Sequence, residues 1–445
     1  MKKTLLFLTA LLAAALACNA QTAREAIAAN RDLAGGIYYV DDFSVREAAP
    51  APRGYKPFYI SHYGRHGARN HGSNEEFDKL LEVLKYAEAG DNLTPLGKDL
   101  LEQYSEAWPL LHLRGNDLTD LGWDQHRGIA GRMAADYPSV FKGKGRKVVA
   151  YSTVVPRCIM SMAAFCESLL EFNPRLDIST GASAAYMGEL NPFTMYNPQV
   201  KPTDAGYDNK NAAWRTALND FSKRTVDPAP LAARLLRDPS KLPAGVDAVH
   251  LMRYLYHVAA TVQDGGFGGD YWKYFTLDEA YAKFQEFNLK MYLSKGPDTI
   301  IQGGRQWAFV NYFVQKLLDD AEADMAAGDV AARLRFGHDI TIISALTLLD
   351  VDGWNKSARN FDDVADLWQH YRIPMASNLQ FVFYRNGKGD VLVRVMLNER
   401  DIRFPIQSDL APYYRWSDFK AFATGRIDHA KHIIATTKAP VKRKK

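Results

Sequence analysis

The stretch Lys56-Pro57-Phe58-Tyr59-Ile60-Ser61-His62-Tyr63-Gly64-Arg65-His66-Gly67-Ala68-Arg69-Asn70-His71-Gly72 decides how the chain is read. Its first half is aromatic and β-branched, as a strand requires, and its second half is a basic, glycine-rich loop. Helical periodicity follows over 75–89, with apolar residues at Phe77, Leu80, Leu81, Leu84 and Ala87. A strand that runs into such a loop and then a helix is where an open α/β sheet presents its ligand-binding groups. The loop also has a chemistry. A phosphate monoester is a doubly charged tetrahedral anion, and guanidinium forks match it in shape and hold their charge at any relevant pH. His66, between Arg65 and Arg69, can attack phosphorus with one ring nitrogen, while the glycines allow the backbone close to the phosphate.

Working outward, Thr94-Pro95-Leu96-Gly97 and Thr119-Asp120-Leu121-Gly122 each start a helix, the second running to about Asp136. Lys147 to Ser152 is a short apolar run that suits a buried parallel strand, and Arg157 to Phe172 reads as the helix after it. Arg157, where that helix begins, can bring a third guanidinium to the same anion. Strand, loop and helix in repetition argue for an α/β sheet. Between about 180 and 330 the strand signals fade; helical stretches punctuated by Pro, Asn, Asp and Gly predict a mostly helical cap insertion, with Gly265 to Gly269 as a mobile loop. A strand returns at Arg333 to Gly337 and ends on His338-Asp339. Such a histidine can donate to the phosphate, and such an aspartate can protonate the leaving oxygen. Phe381 to Tyr384, the turn Asn386-Gly387-Lys388-Gly389 and Val391 to Leu397 form a β-hairpin.

The ends of the chain bear on location and partners. Lys2 and Lys3, the apolar Leu5 to Leu16 and the small residues near Ala17 and Ala20 make residues 1–20 a signal peptide, so a secreted or periplasmic location is expected. Cleavage after Ala20 releases a soluble protein; cleavage before Cys18 would leave a lipid anchor there. The apolar run is too short to span a bilayer. The formal charge of +4 includes Lys2, Lys3, Lys438, Lys442, Arg443, Lys444 and Lys445; without those seven the body stands at −3, which excludes a generally basic nucleic-acid-binding surface. Residues 21–54, small and then proline-rich, read as a leader onto the body. Cys158 and Cys166 fall eight residues apart on one helix, about 12 Å. A disulfide needs about 7 Å, so both are expected free and packed.

The motifs together resemble the histidine acid phosphatases, the large branch of the histidine phosphatase superfamily. The resemblance rests on Arg65-His66-Gly67-Ala68-Arg69, on Ser152-Thr153 with Arg157, and on His338-Asp339. Their order and spacing agree across most of the chain, and Pro374-Met375-Ala376-Ser377-Asn378 with the hairpin is similar to the family's C-terminal part. The resemblance implies an α/β three-layer sandwich around a mainly parallel sheet, its core formed by 21–180 and 331–445 and its helical cap by 181–330. It implies His66 as nucleophile, Asp339 as proton donor, and Arg65, Arg69, Arg157 and His338 as phosphate ligands, with no metal and no cofactor. Asp120 to Ala130 is similar to the multiple inositol polyphosphate phosphatases, which makes phytate the leading substrate. That subgroup usually carries His-Ala-Glu where this chain has His338-Asp339-Ile340, the pair of the wider family.

Other readings compete. His62, His66 and His71 are close in sequence, but they flank a strand–loop junction, where four-residue spacing gives no shared face, and the adjacent arginines repel a cation. A phosphate-ester binding protein would use the same pocket without turnover; Asp339 argues against it. A phosphotransfer mutase would be more compact, without a large cap or a secretion signal. The partner expected is a small phosphate ester, turned over at acidic pH. A broad-specificity acid phosphatase on small phosphomonoesters is the alternative to a phytase. The sequence leaves the oligomeric state open, a monomer being compatible with it.

Overall fold

The computed structural model describes residues 21–46, 49–201, 213–301, 304–351 and 353–437. The expected signal peptide, Cys18 and the basic residues of the tail from Lys438 lie outside the described residues. The fold is α/β, a mixed sheet with helices on both faces. Its strands are β1 (Lys56–Arg65), β2 (Lys147–Ser152), β3 (Asp177–Ala182), β4 (Val330–Gly337), β5 (Asn378–Arg385), β6 (Val391–Leu397), β7 (Arg400–Asp401) and β8 (Tyr413–Arg415). They run in the order β3-β2-β4-β1-β5-β6-β7, with β8 also paired to β6. The first four are mutually parallel; β5 turns antiparallel against β1 and starts the hairpin.

Apolar alternation on the strands is two-sided, so both faces need cover. On one face, α4 (Asp120–Asp136) and α5 (Pro156–Phe172) bury Ile129, Met133 and Phe165 against Ile60, Leu334 and Phe336. On the other lie α8 (Asn311–Ala327), α9 (Asp339–Leu348) and α10 (Trp416–Thr436). A further helical group packs around α6 (Ala248–Gly265) and includes α2 (Asn74–Ala89), α3 (Pro95–Leu111) and α7 (Leu277–Lys295). No helix among the described residues is long and apolar enough to cross a membrane. Cys158 and Cys166 are free and buried, as their spacing predicts.

One expectation fails. Residues 21–54 are not simply a leader. A capping box of Thr22 and Glu25 starts α1 (Ala23–Ala29), and a 3-10 segment, Arg31–Tyr38, follows. Ala23, Ile27, Ala34, Ile37 and Tyr38 enter the core. The small residues serve close packing: a Cβ on Gly36 would fall 1.9 Å from His370 Nε2.

Candidate active site

The parallel register gathers the site. Arg65, the last residue of β1, pairs with Gly337, the last of β4, and Ser152 at the end of β2 pairs with Phe336. Three chain segments therefore leave the sheet side by side at the C-terminal ends of their strands, carrying His66, Arg157 and His338-Asp339. The backbone is stapled there: Arg65 N donates to Ser377 O at 2.8 Å, His66 N to Gly337 O at 3.0 Å, and Ala376 N to His66 O at 3.1 Å. Glycines bring the loop onto the start of α4, since a Cβ on Gly67 would lie 2.2 Å from Gly122 O. Gln125 Oε1 accepts from Ala68 N at 2.9 Å, and Ser161 Oγ accepts from Gly67 N at 3.1 Å.

The structure brings all six expected residues into one cluster. Arg65, His66, Arg69, His338 and Asp339 are buried and Arg157 is partly so. The His66 and His338 rings stand 5.8 Å apart, edge to face. His66 Nδ1 lies 2.9 Å from Gly67 O, which fixes its proton there and leaves Nε2 with a free lone pair. Burial, then Arg65, Arg157 and Arg69, hold the His66 pKa well below the usual imidazole value, so the ring is neutral and nucleophilic in acid. Burial and Arg157 push His338 down to about 4. Burial and Arg69 lower Arg157 to about 10, which leaves it charged. Tyr63 Oη accepts from His338 N at 2.9 Å and so anchors that segment.

The guanidiniums have donors to spare. Arg65 Nη1 donates to the Ile37 and Ile373 carbonyls at 2.5 and 3.0 Å, and Arg69 Nη1 to Asn70 O at 2.9 Å. Arg65 Nε and Nη2, Arg69 Nε and Arg157 Nε are buried with no hydrogen-bond partner among the described residues. A buried donor without an acceptor is costly, and a tetrahedral oxyanion supplies the acceptors these lack.

Several neighbours were not among the expected site residues. Tyr38 places its ring 5.2 Å from the Arg69 guanidinium, a cation–π contact. His126 Nε2 lies 3.0 Å from Arg65 O beneath the loop. Asp264 is fully buried, and its charge is coupled to those of Arg69 and Arg65. A lone Tyr, His or Asp on an apolar helix reads as ordinary packing. Arg114, Asn116, Asp117, Pro156 and Met160 line a cavity of about 330 Å³ beside Arg157.

The suspected histidine trio does not assemble. His62 lies in the core between Phe165 and Phe336, and His71 stacks on His257, with centroids 3.9 Å apart. His71, Glu76 and His257 do bring ligand atoms within 4.8 Å of one another. Arg253 Nε already sits 3.0 Å from Glu76 Oε1, and rings stacked at 17° do not converge their in-plane lone pairs on one ion.

No protein-family model matches the chain, and no curated protein matches its sequence. Solved structures do match its fold. The multiple inositol polyphosphate phosphatase of Bifidobacterium longum, in a complex with inositol hexasulfate, aligns over 88% of this chain and 97% of its own, with TM-score 0.69 and 17% identity. The phytase of D. castellii aligns over 89% and 85%, with TM-score 0.64 and 16% identity. The Citrobacter braakii phytase aligns over 83% and 98%, with TM-score 0.51 and 13% identity. The chain thus has the three-layer fold of the histidine acid phosphatases.

Proposed function

We propose that this protein is a phosphomonoesterase that works through a phosphohistidine on His66, with inositol polyphosphates such as phytate as its substrate class. The observation that carries the reading is the set of unpartnered guanidinium nitrogens on Arg65, Arg69 and Arg157 around a neutral His66 with a free Nε2. His66 Nε2 attacks phosphorus, the ester P–O bond breaks, and the Asp339 carboxyl gives its proton to the leaving oxygen. Water then attacks phosphorus, the P–N bond breaks, and Asp339 takes the proton back. The guanidiniums and His338 stabilise charge on the transferring group. Because Asp339 must carry a proton and His66 must not, the optimum is acidic.

One observation supports a polyanionic substrate: the Bifidobacterium neighbour holds inositol hexasulfate. The cap assignment 181–330 and export by residues 1–20 to the periplasm or beyond belong to the same proposal.

The test is phosphate release from phytate and from an aryl phosphate, with chelator present, by residues 21–445 and by His66→Ala. Chelator-resistant release is expected, with loss of about 10⁴-fold or more in the variant. Turnover that survives in His66→Ala would sink the phosphohistidine. Absence of release by the unaltered protein between about pH 3 and 7 would make the pocket a binding site only.

A further inference from the structure

Asp264 is an ionisable group beside the pocket that the reaction above does not use. It stands in the last turn of α6 and is fully buried, and neither carboxyl oxygen has a hydrogen-bond partner among the described residues. The next residue abuts the phosphate loop, since a Cβ on Gly265 would come within 3.0 Å of Asn70 Oδ1. Beyond burial, the charges of Arg69 on the loop and Arg65 on β1 bear on the carboxyl and favour its ionised form, and that of Asp32 in the 3-10 segment opposes it. Other charged groups packed near α6 are engaged or exposed. Glu76 of α2 is held by His257 and Arg253, Arg234 by Glu279, and Asp120 and Asp124 of α4 face solvent.

A carboxylate out of water and without a hydrogen bond is costly, so burial pushes Asp264 well above the usual carboxylate range, with Arg69 and Arg65 opposing. In acid the group is neutral and makes no demand on the arginines. Arg69 Nε and Arg65 Nε and Nη2, however, have no acceptor among the described residues. An ionised Asp264 supplies a planar anion that guanidinium forks take as readily as phosphate.

We propose that Asp264 is a positioning residue for the phosphate clamp: neutral, it leaves the Arg65 and Arg69 forks to the phosphoryl group, and ionised, it draws them toward the cap helix and weakens anion binding. This rests on the reading of the pocket as a phosphate site. The end of α6 then sets the upper pH edge of binding, separately from the proton that Asp339 needs for chemistry.

Sulfate is the probe, because it stays a dianion across the range and undergoes no turnover. Its affinity is measured by calorimetry from about pH 4 to 8 on residues 21–445, unaltered and as Asp264→Asn. Affinity of the unaltered protein falls with rising pH, by roughly tenfold per unit for each proton coupled to binding. Asp264→Asn is expected to match it within about twofold in acid and to lose one proton's worth of slope, so that it binds roughly tenfold tighter at the alkaline end. Asp264→Ser, which also removes the titrating group, gives the same profile and serves if the first variant does not fold. With an ester substrate the alkaline change falls on KM and not on kcat. Superimposable profiles overturn the proposal, as does uniform weakening at every pH, which marks a merely structural residue. Sulfate binding with this pH signature but without ester turnover would sink the enzyme reading and leave this one standing; no sulfate binding at any pH would overturn it.

Discussion

Arg65 and Arg335 stand on adjacent strands of one sheet, both wholly buried, and their surroundings are opposite. Arg335 is fully engaged: Nε donates to Glu189 at 2.6 Å, Nη1 to Ser61 at 3.0 Å, and Nη2 to Asp320 at 2.8 Å. Tyr151 adds a hydrogen bond to Glu189 at 2.8 Å, and these anions hold the Arg335 pKa above its usual value against burial. Arg65 has two carbonyls on one nitrogen, no ion pair among the described residues, and a pKa lowered by burial. The difference separates a charge neutralised by the fold from one left for a ligand. A buried cation is normally paired, and under the proposed function the anion that Arg65 lacks is the substrate's.

The sharpest way to break that comparison is to remove each cation. Arg65→Met is expected to lower kcat/KM by about 10³–10⁴-fold, since a clamp on the transferring group is lost. Stability should change little: two carbonyls lose a donor, at about 1–3 kcal/mol, but no buried carboxylate is stranded and an unpaired guanidinium no longer needs desolvation. Steady-state kinetics and urea unfolding on one preparation check both halves. A large stability loss with modest kinetic loss would show that Arg65 is structural.

Arg335→Met is expected to do the reverse. It strands the buried Glu189, which costs about 3–5 kcal/mol, while Asp320 keeps Lys316 and Arg333 nearby. Activity per folded molecule should hold, because Arg335 side-chain contacts run to Glu189, Ser61 and Asp320, away from His66. Adding Glu189→Gln should recover part of the loss. A folded Arg335→Met protein with unchanged urea midpoint would refute the idea that the network neutralises itself.

The two clusters were unequally legible. The Arg65–Arg69 loop could be read because its residue types, their order and the strand before them coincide within a few positions. Arg335, two residues before Gly337 in Arg333-Leu334-Arg335-Phe336-Gly337, carries no comparable pattern; its partners Glu189 and Asp320 lie far off in sequence and meet only once β4 is in the sheet. The same limit hid Gln125 and Ser161, which hold the loop through single hydrogen bonds from two helices. The 3-10 segment was missed for another reason. Small residues next to an expected signal peptide suggest a linker, but Gly35 and Gly36 are small because Ala260 and His370 press on them. The edge strand β3 was invisible because it is largely exposed and lacks an apolar run.

The contrast recurs along β1 between two histidines four residues apart, and there it has a pH signature. His66 faces the arginines at the sheet edge, whereas His62 is sealed between Phe165 and Phe336, with neither ring nitrogen hydrogen-bonded among the described residues. Burial, with His126 second, lowers the His62 pKa to about 3. In the unfolded chain it returns to about 6.5. Between those values the unfolded state binds the extra proton, so this site's contribution is intact above about pH 6.5 and is lost as pH falls toward 3, by up to about 1.4 kcal/mol per unit. His62→Phe removes the proton and keeps a ring among rings. From pH 6.5 to 4.5 the unaltered protein should therefore lose about 2–3 kcal/mol more than the variant in urea unfolding, while both keep the losses from His126 and His370. Equal slopes would mean that His62 is already protonated, or wet, in the folded protein. A shallower slope in the variant, with its pH–activity profile unchanged, would assign His62 to the fold and His66 to the chemistry.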